Sequence, residues 1–151
     1  MALYGAHAAL LATVNGYYWG LTSSQQFLSV AAYTLATVPG TLLASFLCRR
    51  YQKRTAALVG VGGFVGLHIL LYGLDFANLL PPRSTTPLIA IMIGLLTLSL
   101  VFLVSLNVTV FSMKADVTDD LELQGGRRQE GVVFAASSFG QKLTSGLGGL
   151  V

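Results

Sequence analysis

Long apolar runs alternate with short charged segments along this chain of 151 residues. Four runs contain no Asp, Glu, Lys or Arg, and they cover residues 2–20, 27–48, 55–74 and 88–112. A fifth run, 131–151, contains one charge, Lys142. Each run is close to the roughly 20 residues that a transmembrane helix needs, and none alternates apolar and polar residues as a membrane barrel strand does. The pattern predicts an all-α membrane protein with about five transmembrane helices in a single partial domain, residues 1–151.

Two charged connections predict the orientation of these helices. Residues 49–54 contain four cations, and residues 113–130 contain three more beside five acids. Because cytoplasmic connections carry an excess of Lys and Arg, both segments are predicted to be cytoplasmic loops. Alternation then predicts a cytoplasmic amino terminus and an outer connection around Arg83 in a multi-pass protein of the plasma (inner) membrane. A cleavable signal peptide is a weaker alternative for residues 2–20, since no basic residue precedes them.

Composition narrows the possible functions. Hydrophobic residues make up 54% of the chain and charged residues only 10%, too few to cover a water-facing surface. The net charge is +3 and no dense basic run is interleaved with aromatic residues, so nucleic acid is not an expected partner. The single cysteine, Cys48, offers neither an internal disulfide nor a metal-binding cluster. No nucleophile, base and acid form a recognisable set, so an enzyme is not predicted.

Lys142 is the most informative single residue. It lies 11 positions after Gly131, which corresponds to a depth of roughly 16 Å in a hydrocarbon layer about 30 Å thick. A lysine near the bilayer centre costs about 2.5–3.5 kcal/mol, so we expect it to face a polar cavity and an anionic partner. The alternative is a shorter or tilted helix from which the side chain reaches the headgroups.

The segment 113–130 is the second candidate. Asp116 and Asp120 are four residues apart and share a helical face with Asp119 nearby, and Gly125 would end such a helix. The set Asp116, Asp119, Asp120, Arg127, Arg128 and Glu130 could form a cytoplasmic gate of ion pairs that holds two helices together in one conformation. The alternative is a solvated charge run that only fixes the topology.

Weaker signals concern solute contact and helix packing. Asn107 lies in an apolar run and needs a hydrogen-bond partner, either a polar solute or a neighbouring helix. Tyr17 and Tyr18, followed by Trp19, are typical of an aromatic belt at the outer membrane surface, with stacking on a sugar as the alternative.

Small residues suggest where helices approach one another. Gly62 and Gly66, and likewise Gly146 and its neighbours, predict close helix packing. The pair at residues 39–40, Pro-Gly, predicts a kink in the second helix.

Together, these residues resemble a known family. The segment 115–123 (ADVTDDLEL), then 126–131 (GRRQEG), then Lys142, resembles the glycoside-pentoside-hexuronide:cation symporters, the melibiose-permease-like branch of the major facilitator superfamily. Residues 49–54 (RRYQKR) look like the basic connection between the eighth and ninth helices of that family. The resemblance thus spans nearly the whole chain.

The resemblance implies a carboxy-terminal half fragment of a major facilitator fold, corresponding to the seventh to eleventh of twelve helices. The implied partners are the lipid bilayer, a small-molecule solute and the missing amino-terminal helix bundle, where the site of a coupling cation, Na⁺ or H⁺, would lie; no other cofactor is implied. Lys142 matches the family lysine that faces amino-terminal acids, and the gate residues match the family's cytoplasmic gate. Asn107 stands where melibiose-type members have an aromatic residue, and this difference argues against galactoside specificity.

The leading hypothesis is cation-coupled symport of a sugar or related small solute by alternating access, with Lys142, Asn107, Tyr17 and Tyr18 near the substrate or coupling site. One alternative is a lysolipid-type symporter of the same family. The other is a non-transporting membrane scaffold or assembly protein that binds partners through its glycine faces.

Overall fold

The computed structural model describes residues 13–82, 85–125 and 130–148. These residues are helical almost throughout and contain no β-strand, which confirms the prediction of an all-α fold. The elements are a π-helical segment (Val14–Tyr18), α1 (Ser23–Leu35), α2 (Thr37–Arg50), α3 (Lys53–Phe76), α4 (Thr86–Gly125) and α5 (Glu130–Gly148).

The chain forms two compact units. The first is Gly20–Phe111, which contains α1, α2, α3 and the larger part of α4. The second combines Met1–Trp19 with Ser112–Val151, and its described part holds the π-helical segment, the end of α4 and α5. Each unit is described by itself below, and the prediction of a single transmembrane domain stays a prediction.

Three stretches are long and apolar enough to cross a membrane within the described ranges. They are Ser23–Arg50, which joins α1 and α2, Lys53–Phe76 and Thr86–Leu123. These contain the predicted runs 27–48, 55–74 and 88–112. Most of the predicted run 2–20 lies outside the described residues. The run 131–151 differs, because α5 contains only a shorter apolar stretch, Gly131–Gly140.

The predicted cytoplasmic loop 113–130 is mostly helical. Helix α4 continues through the charged residues and ends at Gly125, so it is 40 residues long, about 60 Å along its axis. No glycine or proline occurs between Gly94 and Gly125, so nothing in the sequence stops the helix earlier. Up to residue 125 this connection is therefore helical and continuous with α4, where the spacing of its acids predicted a separate short helix. Residues 126–129 lie outside the described residues, so the predicted end of the helix at Gly125-Gly126 stays a prediction.

A proline explains the break between α1 and α2. α1 ends at Leu35, and a single residue separates it from α2. Pro39 has no N–H, so it cannot donate to the carbonyl of Leu35 four residues earlier. The helical ladder resumes one position later, where Gly40 donates to the carbonyl of Ala36 at 3.0 Å. The helix is therefore interrupted about one turn before the Pro-Gly pair at which the sequence predicts a kink, and the bend itself stays a prediction.

Glycines let α2 and α3 approach α4 in the first unit. A Cβ added at Gly40 of α2 would lie 2.6 Å from the Cβ of Val104, and one at Gly60 of α3 would lie 2.9 Å from the Cβ of Leu106. Real Cβ atoms essentially never come so close to another heavy atom. The backbones are thus nearly in contact at both crossings.

The glycines that the sequence singled out are different ones. A Cβ at Gly62, Gly66 or Gly146 would meet no other described atom within 4 Å. Gly60 and Gly63 lie about one turn apart and both face α4, where Gly63 lies against the ring of Phe102. Residues 62 and 66 lie on another face of the helix, so among the described residues the close packing involves Gly60 and Gly63, and packing at 62 and 66 stays a prediction.

Most of the hydroxyl side chains with a hydrogen bond inside the helices bond to their own helix. A membrane interior supplies no water to satisfy hydroxyl groups, so bonds within the helix are the available solution. Hydroxyls donate to a carbonyl three or four residues earlier at Ser29, Thr34, Thr41, Ser45, Ser99, Thr109 and Thr118. The sulfur of Cys48 lies 3.7 Å from the hydroxyl of Thr109, which adds a polar contact between α2 and α4.

A substitution at Gly60 tests the close crossing of α3 and α4. Gly60→Ala places a methyl group against the backbone and Cβ of Leu106, and such overpacking costs about 1–3 kcal/mol. We expect a lower melting temperature of the full chain in detergent, by about 2–4 °C for each kcal/mol lost.

Gly62→Ala is the matched control on the same helix. Its methyl group meets no described atom within 4 Å, and alanine has the higher helix propensity, so Tm should stay equal or rise. Equal loss of Tm in the two variants would contradict the assigned crossing.

Candidate functional site on helices α4 and α5

A hydrogen bond joins α4 to α5 in the second unit. The Nζ of Lys114 on α4 donates to the Oγ of Ser137 on α5, and both side chains are half-buried. A charged donor makes a stronger bond than a neutral one, so this contact holds the two helices at a defined register. Lys114 is the first charged residue that α4 reaches after its apolar stretch.

Thr118 lies on the same face of α4 as Lys114, one turn further on. It is 2% exposed, and its hydroxyl donates to the carbonyl of Lys114 at 3.0 Å. These two residues therefore define the inward face of this part of α4 within the second unit.

Three of the four acidic residues of α4 lie on the opposite face. Asp116, Asp119 and Asp120 are all exposed, and at about 100° per residue their mean direction is roughly opposite to that of Lys114 and Thr118. The predicted shared face of Asp116 and Asp120 is confirmed. Within the described residues, no group of three or more His, Cys, Asp or Glu side chains could hold a metal ion.

The remaining gate residues are not described. Arg127 and Arg128 lie outside the described residues, and so does the side chain of Glu130, whose backbone begins α5. The ion-paired gate therefore stays a prediction. What the structure adds is a different inter-helix contact, Lys114 to Ser137, close to the predicted gate along the chain.

Lys142 lies on α5 with an exposed side chain. It follows the apolar stretch Gly131–Gly140 by two residues, and it is 12 residues from the start of α5, about 18 Å along the axis. Exposure leaves the ammonium group accessible to an anionic group from outside this unit. Its place in α5 therefore agrees both with a lysine at the bilayer centre and with a lysine that reaches the headgroups from a shorter helix.

Asn107 belongs to the first unit and lies on α4. Its side chain is exposed, whereas Ser105 and Thr109 on either side are fully buried. The amide thus points away from the crossings with α2 and α3. An exposed amide on an apolar helix is available to a solute or to another helix.

The aromatic residues near the end of the first apolar run differ from one another in exposure. Tyr17 is 92% exposed, whereas Trp19 is 1% exposed and packs edge-on against Tyr18 with ring centroids 5.0 Å apart. An aromatic belt requires rings at the lipid surface, so the belt interpretation was wrong for Trp19. Tyr17 and Tyr18 remain accessible to lipid or solute.

Two features of the second unit were missed from the sequence. The contact of Lys114 with Ser137 joins residues 23 apart on different helices, and no local pattern signals such a pair. Asn15 did carry a signal, because it is an amide in an uncharged run. It lies buried in the π-helical segment, a geometry that is frequent at functional sites.

The serine that accepts from Lys114 provides a test of this contact. Ser137→Ala removes the acceptor, and hydrogen bonds to charged groups contribute about 1.5–3 kcal/mol. We expect the backbone amides of α5 to exchange hydrogen about 10-fold faster or more in the full chain, measured by mass spectrometry.

The neighbouring serine is the control. Ser138 is exposed on the same helix, so Ser138→Ala should leave exchange nearly unchanged. Equal acceleration in both variants would show that loss of any serine loosens α5, contrary to a specific role for the contact.

The family of the chain follows from a comparison with known proteins. A family model described as MFS/sugar transport protein, where MFS is the major facilitator superfamily, matches residues 1–151. No curated protein and no solved structure matches the chain. Three apolar helical stretches of membrane-crossing length among the described residues agree with this match. The chain therefore belongs to the MFS/sugar transport protein family and is a multi-pass membrane protein of a transporter family.

Proposed function

We propose that this chain is part of a cation-coupled symporter that carries a sugar or a related small solute by alternating access. The observation that carries the proposal is the family match over residues 1–151. The resemblance of residues 115–131 and Lys142 to the melibiose-permease-like symporters narrows it from transport in general to cation-coupled symport. In this mechanism two helix bundles rock about a site near the middle of the membrane.

In the proposed mechanism Lys142 responds to the occupancy of that site. Its exposed side chain on α5 supports this role, since an ammonium group close to a membrane interior requires an anion nearby. The sequence of α5 contains one other charged residue, Glu130, at the start of the helix. The partner we propose is a carboxylate of a second, amino-terminal helix bundle, whose protonation or ion binding would change the attraction to Lys142.

Movement of α5 relative to α4 is the proposed link between Lys142 and the cytoplasmic gate. The hydrogen bond from Lys114 to Ser137 connects the two helices, so a displacement of α5 that moves Lys142 would strain this bond. Asp116, Asp119 and Asp120 would pair with Arg127 and Arg128 in the state that is closed to the cytoplasm. The predicted cytoplasmic side of this segment and the cytoplasmic amino terminus belong to the same proposal.

The solute is proposed from chemistry near the apolar helices. Asn107 and Tyr17 present an amide and a phenol ring on exposed surfaces, and such groups bond to sugar hydroxyls and stack on sugar rings. A Na⁺ or H⁺ gradient would drive uptake, and no other cofactor is proposed. Lysolipid transport is the competing assignment within the same family.

Replacing Lys142 in the intact protein tests the proposal. Lys142→Ala removes the ammonium group that responds to the coupling site, so accumulation of labelled solute against its gradient should be lost. Insertion into the membrane should be unchanged, because the substitution removes a charge that is costly in lipid.

Leu143→Ala is the control, because Leu143 is the exposed neighbour on α5. It should keep accumulation near the wild-type level. Full accumulation by Lys142→Ala would contradict the proposed role, and a protein that accumulates neither sugars nor lysolipids would favour a scaffold.

A further inference from the structure

The side chain of Asn15 lies buried in the second unit without a hydrogen bond. The residue belongs to the π-helical segment and is 6% exposed. Within the described part of the chain, no hydrogen bond involves its amide. Burial of an amide is costly unless a hydrogen bond replaces its contacts with water, so this amide points to a partner that the described residues do not supply.

Two neighbours show which way the amide points. Trp19 follows Asn15 by four residues, close to one turn of a π-helix, and is 1% exposed. Tyr17, halfway between them along the chain, is 92% exposed. Asn15 and Trp19 therefore share the inward face of the segment, and the tyrosine lies on the outward face.

The backbone of this segment is wound more widely than an α-helix. The N–H of Trp19 donates to the carbonyl of Val14, five residues earlier, at 3.1 Å. Such π-helical turns are rare and occur frequently at functional sites. The chain leaves the segment at Gly20, whose φ of 69° is one that glycine adopts readily. The buried amide and the π-helical turn thus indicate the same place by independent observations.

The partner of the amide could be another helix, a water molecule or a solute. Only 6% of the Asn15 side chain is exposed, so almost no surface remains on which another helix could pack. A single hydroxyl group can still approach, and it both donates and accepts, as the amide does. A sugar carries several hydroxyl groups, and the family match is to sugar transport proteins. A bound water would also fit the amide, but it would give no dependence on the solute.

The predicted topology places Asn15 on the outer side of Lys142. Asn15 lies five positions before Gly20, about 7 Å from the predicted outer end of the first apolar run. Lys142 is predicted to lie roughly 16 Å from the cytoplasmic side of a layer about 30 Å thick. A solute that enters from outside would therefore meet the level of Asn15 before the level of Lys142.

We propose that the amide of Asn15 hydrogen-bonds a hydroxyl group of the transported sugar and so contributes to the selection of the solute. This inference rests on the proposed function, since it names a residue of the same solute site. The buried amide without a hydrogen bond is then the state of this site before a sugar binds.

The stability of the intact protein in the absence of sugar provides the first test. Asn15→Leu replaces the amide by an apolar group of similar size, so the unsatisfied donor and acceptor are removed. We expect Tm in detergent to rise by about 2 °C or more. Asn107→Leu is the control, because the Asn107 amide is exposed, and Tm should change less in that variant.

Uptake kinetics in membrane vesicles provide the second test, with labelled glucose, galactose, xylose and glucuronate as probes. For the sugar that the wild type accumulates, Asn15→Leu should raise KM by about 5- to 10-fold, the equivalent of one hydrogen bond, with a smaller effect on kcat. One monodeoxy analogue of that sugar should be penalised in the wild type but not in the variant, because it lacks the hydroxyl group that the amide binds. Thr13→Val is the matched control, since Thr13 is exposed and its side chain makes no capping bond, and KM should not change.

The results that would overturn the inference are distinct. A Tm that falls in Asn15→Leu would show that the amide has a structural partner in the folded protein. A wild type that accumulates sugar, with the same KM and the same analogue preference in Asn15→Leu, would overturn this inference alone and leave the proposed function intact. Failure of the wild type to accumulate any of these sugars would overturn the inference together with the proposed sugar transport.

Discussion

The absence of water inside a bilayer is the constraint on which the rest of this structure depends. Every backbone N–H and C=O in the hydrocarbon layer needs a partner within the protein, and only helices supply it within one segment. Many hydroxyl side chains follow the same rule, since those of Ser99 and Thr109 bond to carbonyls of their own helix, whereas the buried hydroxyls of Thr97 and Ser105 have no hydrogen-bond partner among the described residues. Charged side chains are concentrated outside the apolar parts of the helices, and 12 of the 15 lie in residues 49–54 and 113–130.

Three of the five predicted spans correspond to long apolar helical stretches and were predictable from the sequence because they depend on this one constraint, whereas the contacts between helices were not predictable. The break at Leu35 follows from the missing N–H of Pro39 and needs no tertiary information. Which glycines meet α4 depends on the rotation of α3 about its axis, and apolar composition around the whole helix gives no signal of that rotation. For this reason Gly60 lies in the crossing while Gly62 faces open space.

The candidate site likewise combines features that the sequence predicts with features that depend on how the helices pack. The shared face of Asp116 and Asp120 follows from spacing alone, but the length of α4 does not, because a charged segment can be loop or helix. The bond from Lys114 to Ser137 depends on how two helices pack. Lys142 is the residue on which the functional account rests most. It lies two residues beyond the apolar stretch of α5, so sequence position alone does not separate a polar cavity from the headgroup region.

The accessibility of position 142 to water distinguishes a lysine in a polar cavity from a lysine at the lipid surface. In the intact protein with its native cysteines replaced, Cys48 of this chain by serine, Lys142→Cys can be labelled alone with a membrane-impermeant methanethiosulfonate. Val65→Cys, an exposed apolar position in the middle of α3, gives the rate for a lipid-facing residue. The account predicts that position 142 reacts much faster than position 65 and that transported solute slows the reaction. Equal slow rates at both positions, or no effect of any solute, would contradict it.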